Sequence, residues 1–360
     1  MRKHRNLKIQ QKNILVAPLN WGLGHATRCI PIIQNLENLG FTPIITSDGE
    51  ALQLLKLEFP HLKFLELPSY TITYPKKGKN FRWKMLQNIP NMLFAIRNER
   101  KLVQKWMEEF QLCGIISDNR LGVYNKNVPS VFMTHQVNVL TGSTTYFSTK
   151  IHQRIIQKFA ECWIPDVAGK PNLSGKLGHV DHQDSKLKHI GPLSRFRKID
   201  LEIKYDLMVL LSGPEPQRTF LEEKLISELK NYSGKVVFIK GKVEVKQEVH
   251  QCENILFYNF MQSSELEKTI NESEFILCRS GYTTVMDLAK LGKKAFFIPT
   301  PGQFEQEYLV DKFQKEGLVP FCKQEDFSIE KLEEVQNYKG LSHFEQEVNW
   351  HELFSLFDGK

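Results

Sequence analysis

Continuous apolar runs of strand length alternate with stretches in which apolar residues return every third or fourth position, over almost the whole chain. A run that is apolar throughout suits a strand covered on both faces, the habit of parallel sheets lying between helices. The first half predicts strands at 13–19, 41–46, 64–67, 114–117, 128–133 and 162–164, and helices at 26–39, 50–57 and 146–160, with Gly40 ending the first helix. From 165 to 194 periodicity is lost among Gly, Pro, His and polar residues, and charged residues at 195–204 lead into a second series. That series predicts strands at 206–211, 235–239, 255–258, 275–278 and 294–299, with helices between them. Beyond Leu318 remain a short strand and two helices, at 329–338 and 343–357. The pattern is α/β: two Rossmann-like, doubly wound domains facing each other across a cleft. The boundaries expected are a basic tail at 1–12, domains at 13–200 and 201–340, and a C-terminal helix at 341–360 packing back on the first domain.

Two strand–turn–helix units stand out between Phe275 and Tyr308. The first turns at Arg279-Ser280-Gly281, the second at Thr300-Pro301-Gly302-Gln303. Adjacent parallel strands place both turns on one edge of the sheet. A turn rich in Gly, Ser and Thr ahead of a helix offers free N–H groups to a phosphate, which points to a nucleotide diphosphate.

Composition changes this picture little. At 360 residues the chain exceeds one comfortable core. Its apolar runs fall short of the roughly 20 residues of a membrane span, and the six cysteines are scattered without a CxxC pair, as expected of reduced structural thiols in a cytoplasm. The charge of +7 is concentrated: between Tyr70 and Lys105 nine lysines and arginines face only Glu99, interleaved with apolar and aromatic residues. Such a segment suits anionic lipid headgroups or an acidic acceptor, or else it is a solvated helix face over a core. With no nucleic-acid module beside it, nucleic acid is not an expected partner.

The loop Gly22-Leu23-Gly24 follows the first strand, but Thr27 stands where a dinucleotide fingerprint needs its third glycine. Asp48 lies where such a fold would hold a ribose. His25 opens the helix, with Arg28 one turn on. A histidine at a helix N-terminus is pushed toward the neutral form that accepts a proton; the plainer alternative is a helix cap. Asp118 ends a buried strand, placed to orient a histidine or to pair with Arg120. His135 ends the next strand on the same edge. His179 and His182 are weak metal candidates. No Asp-x-Asp pair occurs, so no metal cofactor is expected, and helix dipoles and arginines are left to neutralise a diphosphate.

Arg279-Ser280-Gly281, Thr284, Asp287, the strand end at Pro299 and Gln306 resemble the donor-binding region of glycosyltransferase family 28. More loosely, Ser212-Gly213 through Arg218 and Gly22-x-Gly24-His25 resemble that family's phosphate-facing and N-terminal glycine loops. The resemblance implies the GT-B fold; the reduced thiols suit a cytoplasmic enzyme, and the basic segment would set it on the inner face of the cell membrane. It would move a hexose or N-acetylhexosamine from a UDP-sugar to a lipid-linked or glycan acceptor, with inversion and without metal. It also implies roles. Asp287 would bind ribose, Gln306 with Glu307 and Gln303 the donor sugar, and Arg279, Ser280, Gly281 and Thr284 the diphosphate. Ser212, Gly213 and Arg218 would close over the phosphates. His25 would be the base with Asp118 behind it, and Gly22, Gly24, Arg28, His135 and Asn138 would face the acceptor. Asp287 stands where a glutamate is expected, and Thr300 to Phe304 departs from the family's sugar-contacting sequence, so the turn is where donor preference would reside. A nucleotide-sugar hydrolase with His25 activating water, an epimerase and a non-catalytic nucleotide-sugar-binding subunit are the alternatives.

Overall fold

A computed structural model describes residues 12–70, 81–180, 184–242, 244–342, 344 and 346–358, with side chains from residue 90 onward in the helix that starts at Phe81. The first sheet contains β1 (Asn13–Pro18), β2 (Thr42–Ser47), β3 (Lys63–Glu66), β4 (Leu112–Asp118), β5 (Ser130–Met133), β6 (Glu161–Ile164) and β7 (Leu187–His189). Their order is β3-β2-β1-β4-β5-β6-β7, parallel throughout. The second contains β8 (Tyr205–Leu210), β9 (Val236–Ile239), β10 (Val249–Cys252), β11 (Ile255–Tyr258), β12 (Ser273–Cys278) and β13 (Lys294–Phe297), ordered β10-β11-β9-β8-β12-β13. Only its edge pair β10–β11 is antiparallel.

These orders decide where ligands belong. In an open α/β sheet the crevice lies beyond the carboxyl ends of the two strands at which the winding reverses. Here those are β1 and β4, whose ends pair Pro18 with Asp118, and β8 and β12, whose ends pair Leu210 with Cys278. The glycine loop and Asp118 therefore flank one switch point, and Ser212-Gly213 and Arg279-Ser280-Gly281 flank the other.

The helices are α1 (Gly24–Asn38), α2 (Gly49–Glu58), α3 (Phe81–Glu109), α4 (Thr145–Ile156), α5 (Gln217–Leu229), α6 (Ser263–Asn271), α7 (Tyr282–Leu291), α8 (Phe304–Lys315) and α9 (Trp350–Phe354). One apolar cluster contains Ile14, Val16 and Trp163 from the first sheet and Met208, Ile276 and Phe297 from the second. Between the halves α1 packs on α7. Added links are Thr283 Oγ1 donating to Gly24 O at 3.0 Å, Tyr282 OH to Pro165 O at 3.0 Å and the Ser263 amide to Glu58 at 3.1 Å.

Several elements depart from the sequence pattern for identifiable reasons. β7 and β10 are unpredicted: both are edge strands, short and largely uncovered, so they carry no apolar run. The segment after Leu318 forms only a bridge, Phe321 to Phe297. Residues Ile329–Asn337 form a 3-10 helix in which Ile329, Leu332 and Val335 are buried, a spacing of three that suits three residues per turn. The helix expected from 343 begins only at Trp350, where the Asn349 side chain accepts from the Glu352 amide, followed by a 3-10 turn at Ser355–Phe357.

That last segment lies on the first sheet. The Phe354 ring is 6.1 Å from Phe41 and 6.2 Å from Trp163, Phe357 is 6.1 Å from Trp163, and Lys12 pairs with Asp358 at 2.7 Å. A Cβ on Gly191, in the first crossing between the halves, would meet Gln346 O, in the return crossing, at 3.0 Å. A Cβ on Gly114 would lie 2.2 Å from the Phe357 ring. We expect Phe357→Ala to cost about 3–5 kcal/mol by opening a cavity and Gly114→Ala about 1–3 kcal/mol by overpacking. Urea denaturation of each variant measures both.

Candidate active site

The carboxyl edge of the first sheet gathers three residues that are far apart in sequence. α1 begins at Gly24 without an acidic residue in its first turn, so His25 meets the positive end of the helix dipole directly. Arg28, one turn on and buried, turns its Nε to Asp118 Oδ2 at 2.7 Å and its Nη2 to Oδ1. Asp118 is buried at the end of β4. His25 Nδ1 lies 3.0 Å from the same Oδ1, and Arg28 Nη2 lies 2.8 Å from Nδ1. Nδ1 lies between the two: carrying the ring proton it donates to Oδ1 and leaves Nε2 its lone pair, and without that proton it accepts from Arg28 Nη2.

Burial lowers the pKa of His25 and Arg28 adds to the effect, against the raising pull of Asp118. Burial would raise the Asp118 carboxyl, but the charges of Arg28 and then His25, with their hydrogen bonds, hold it well below the usual carboxylate range. The result is a neutral imidazole backed by a permanent anion, the pairing that makes a histidine a proton acceptor. Of the three, only His25 shows appreciable side-chain exposure, 15%.

His135 extends the arrangement toward the second half. Arg28 Nη1 lies 3.0 Å from His135 Nδ1, and because a guanidinium only donates, Nδ1 accepts. Nε2–H then donates to Glu305 Oε1 at 2.8 Å, while Gln136 donates to Glu305 Oε2. The His135 ring stacks on Tyr282 at 4.2 Å with 2° between planes. Glu305 is a first-turn residue of α8 and Tyr282 the first residue of α7, so the second half grips His135 from two elements.

Arg120 binds Glu99 at 3.1 Å and Asp48 rather than Asp118, so the Asp118–Arg120 alternative is not what the fold adopts, and Asp48 is committed to this ion pair. The resemblance's donor residues gather at the second switch point. Gly281 caps α7, whose first turn carries no acid, and a Cβ there would meet no atom within 4 Å: the helix N-terminus opens onto free space. Ser280 Oγ bonds Gln306 O at 3.2 Å. Gln306 is held by the Thr300 amide at 2.8 Å and by Gln303 at 3.0 Å, and Glu307 accepts from Gly302 at 3.0 Å, so the turn from Thr300 is internally braced. Gly213, at φ +103°, and Ser212 border the same edge, and Thr284 is partly exposed.

Other candidates face inward. Arg279 is buried with Nη1 on the carbonyls of Ile298 and Pro299 and Nη2 on those of Gln217 and the Gln324 side chain; burial pushes it down to about 9. Arg218 pairs with Glu215 and with Glu222 at 3.8 Å. Asp287 accepts from Ser194 at 2.7 Å, and burial pushes its carboxyl up to about 6. Asn138 ties the loop of Lys176 and His179, donating to both carbonyls. His179 bonds the carbonyls of Gly175 and Val167, and His182 lies outside the described residues. Among the described residues no His, Cys, Asp or Glu grouping of three or more could hold a metal ion.

Residues 216–343 match the model of the glycosyltransferase family 28 C-terminal domain. The second half carries a family 28 domain. Two similar proteins are UDP-N-acetylglucosamine--N-acetylmuramyl-(pentapeptide) pyrophosphoryl-undecaprenol N-acetylglucosamine transferases. That of Haemophilus ducreyi is 27% identical over 57% of this chain and 56% of its own length, and that of Glaesserella parasuis serovar 5 is 24% identical over 89% and 88%. Among solved structures, spinosyn rhamnosyltransferase SpnG superposes with a TM-score of 0.61 at 13% identity, over 96% of this chain and 95% of that one. The fold is the GT-B arrangement of two Rossmann-like domains.

Within the family 28 domain Glu305 escaped the sequence reading, because a glutamate opening a helix is ordinary N-terminal chemistry and its partner lies 170 residues away. We expect Asp118→Asn to cost about 3–5 kcal/mol by leaving the Arg28 charge buried and unpaired. In the same variant His25 should titrate lower, since the carboxylate that raises it is gone; denaturation and ring NMR read the two effects.

Proposed function

We propose that this glycosyltransferase moves a hexose or N-acetylhexosamine from a UDP-sugar to a hydroxyl of a lipid-linked or glycan acceptor, in one inverting displacement and without metal. The observation that carries the reading is the meeting of the two halves at Gly24 and Thr283, where the N-termini of α1 and α7 adjoin and His25 stands beside the diphosphate-type turn. The curated relatives, named for transfer of N-acetylglucosamine to an undecaprenyl-linked acceptor, support the substrate class.

In this reading residues 201–340 hold the donor and 13–200 the acceptor. The diphosphate lies against the N-terminus of α7 at Gly281 and Thr284, beside Ser212 and Gly213, and the helix dipole offsets its charge. The sugar meets the turn braced by Gln303, Gln306 and Glu307. His25 Nε2 takes the acceptor hydroxyl proton as that oxygen forms a bond to the anomeric carbon, and the bond from that carbon to the diphosphate oxygen breaks with its electrons on UDP. No helix among the described residues is long and apolar enough to cross a membrane. We place the enzyme in the cytoplasm against the inner membrane face, with exposed Leu93 and Phe94 on α3 and Tyr146 and Phe147 on α4 as apolar contacts. Lys76, Lys77 and Lys79 of the basic segment lie outside the described residues.

Purified protein incubated with UDP-sugars and lipid or glycan acceptors tests the reading. Glycosylated acceptor of inverted configuration, formed in the presence of a chelator, is the expected result; sugar released only to water means a hydrolase. His25→Ala should lower kcat by about 10²–10⁴-fold. Because His25 must be neutral and its pKa is lowered, kcat/KM should hold as pH falls through 6.5 and decline only below it.

A further inference from the structure

Glu305 belongs to the donor half, in the first turn of α8, yet both its carboxylate oxygens are engaged by the acceptor half: Oε1 by His135 and Oε2 by Gln136. Hydrogen-bond direction then propagates inward. With Nε2–H committed to Glu305, His135 Nδ1 presents a lone pair, and Arg28 Nη1–H fills it at 3.0 Å. That bond fixes the plane of the guanidinium, whose Nε and Nη2 hold Asp118, whose Oδ1 in turn faces His25 Nδ1 at 3.0 Å. The Tyr282 ring, stacked on His135, leaves it little room to turn.

We propose that Glu305 is a positioning residue: it carries the seating of the donor-side turn to the base His25 through His135, Arg28 and Asp118. The base is thus set when the turn that follows Thr300 is in place against the first half. Without the Glu305 carboxylate His135 is free to move its proton to Nδ1, which would set an N–H against the Arg28 N–H, and the guanidinium must then swing from Asp118. Glutamine at 305 can restore the arrangement, its Oε1 accepting from His135 Nε2–H and its amide donating to a turned Gln136 amide, whereas alanine cannot. The charged and titratable groups facing Glu305 are His135, Arg28 and His25, and those facing His25 are Asp118, Arg28, His135 and Glu305. The inference rests on His25 being the base of the transfer reaction proposed above.

Glu305→Ala and His135→Asn test it, singly and together, with the full chain, and Glu305→Gln is the conservative variant that should rescue turnover. In Glu305→Ala kcat should fall about 10–100-fold, as when a partner behind a functional residue is lost, while KM for the UDP-sugar stays within about threefold. The double variant should lose no more than the worse single one, since both break the same relay. Ring NMR of His25 in the substrate-free protein gives a readout independent of turnover. A swing of Arg28 away from Asp118 removes a charge that lowers His25, so its titration should move up. Loss of the Glu305 charge alone, with Arg28 in place, would move it down. An unchanged or lowered titration point, or a kcat unchanged with only the melting temperature reduced, overturns the proposal and leaves Glu305 a strut between the halves. If the wild-type protein transfers no sugar, the functional reading fails while the His25 titration still decides the relay.

Discussion

The ion pair between Arg28 and Asp118 is the constraint on which the site depends. Two charges removed from water at the switch point of a sheet cost several kcal/mol each unless their geometry is nearly complete. Here it is completed by two contacts of the guanidinium with the carboxylate and one each with His135 and His25. A hydrophobic pair of the same volume would serve stability as well or better. What the charged pair supplies is direction, since each N–H points one way and each lone pair accepts from one donor, so the orientation of His25 follows from that of its neighbours.

That dependence explains why the helices begin where they do. His25 opens α1 and Tyr282 opens α7, and each position is set by a strand end one short loop earlier. Gly24 is small because Thr283 stands against it: an added Cβ would come within 3.0 Å of the threonine hydroxyl. Two sheets that share no strand are thereby held with their carboxyl edges close enough for side chains of one to finish the hydrogen bonding of the other.

Much of this was legible in the chain. Strands such as Ile14 to Ala17 and Ile276 to Cys278 are covered on both faces and show themselves as unbroken apolar runs, and the turns that follow them carry glycine, histidine or serine. β10, with all four residues exposed, has no such run. Nor does a sequence record partnership across distance. Arg28 could be placed on the right edge, but its engagement with Asp118, 90 residues on, is a fact of packing. Arg279 shows the converse: its motif suits a phosphate, while the fold buries its guanidinium among four carbonyl groups. Glu305 was invisible for the same reason that Arg28's partner was.

The chain passes between the halves twice, once near Gly191 and again near Gln346, and the two crossings touch. Adjacent crossings make a door hung on a single edge. Both crossings leave from one side, so neither half can diffuse away from the other. The local concentration of one face before the other is therefore a property of the covalent chain before any substrate arrives.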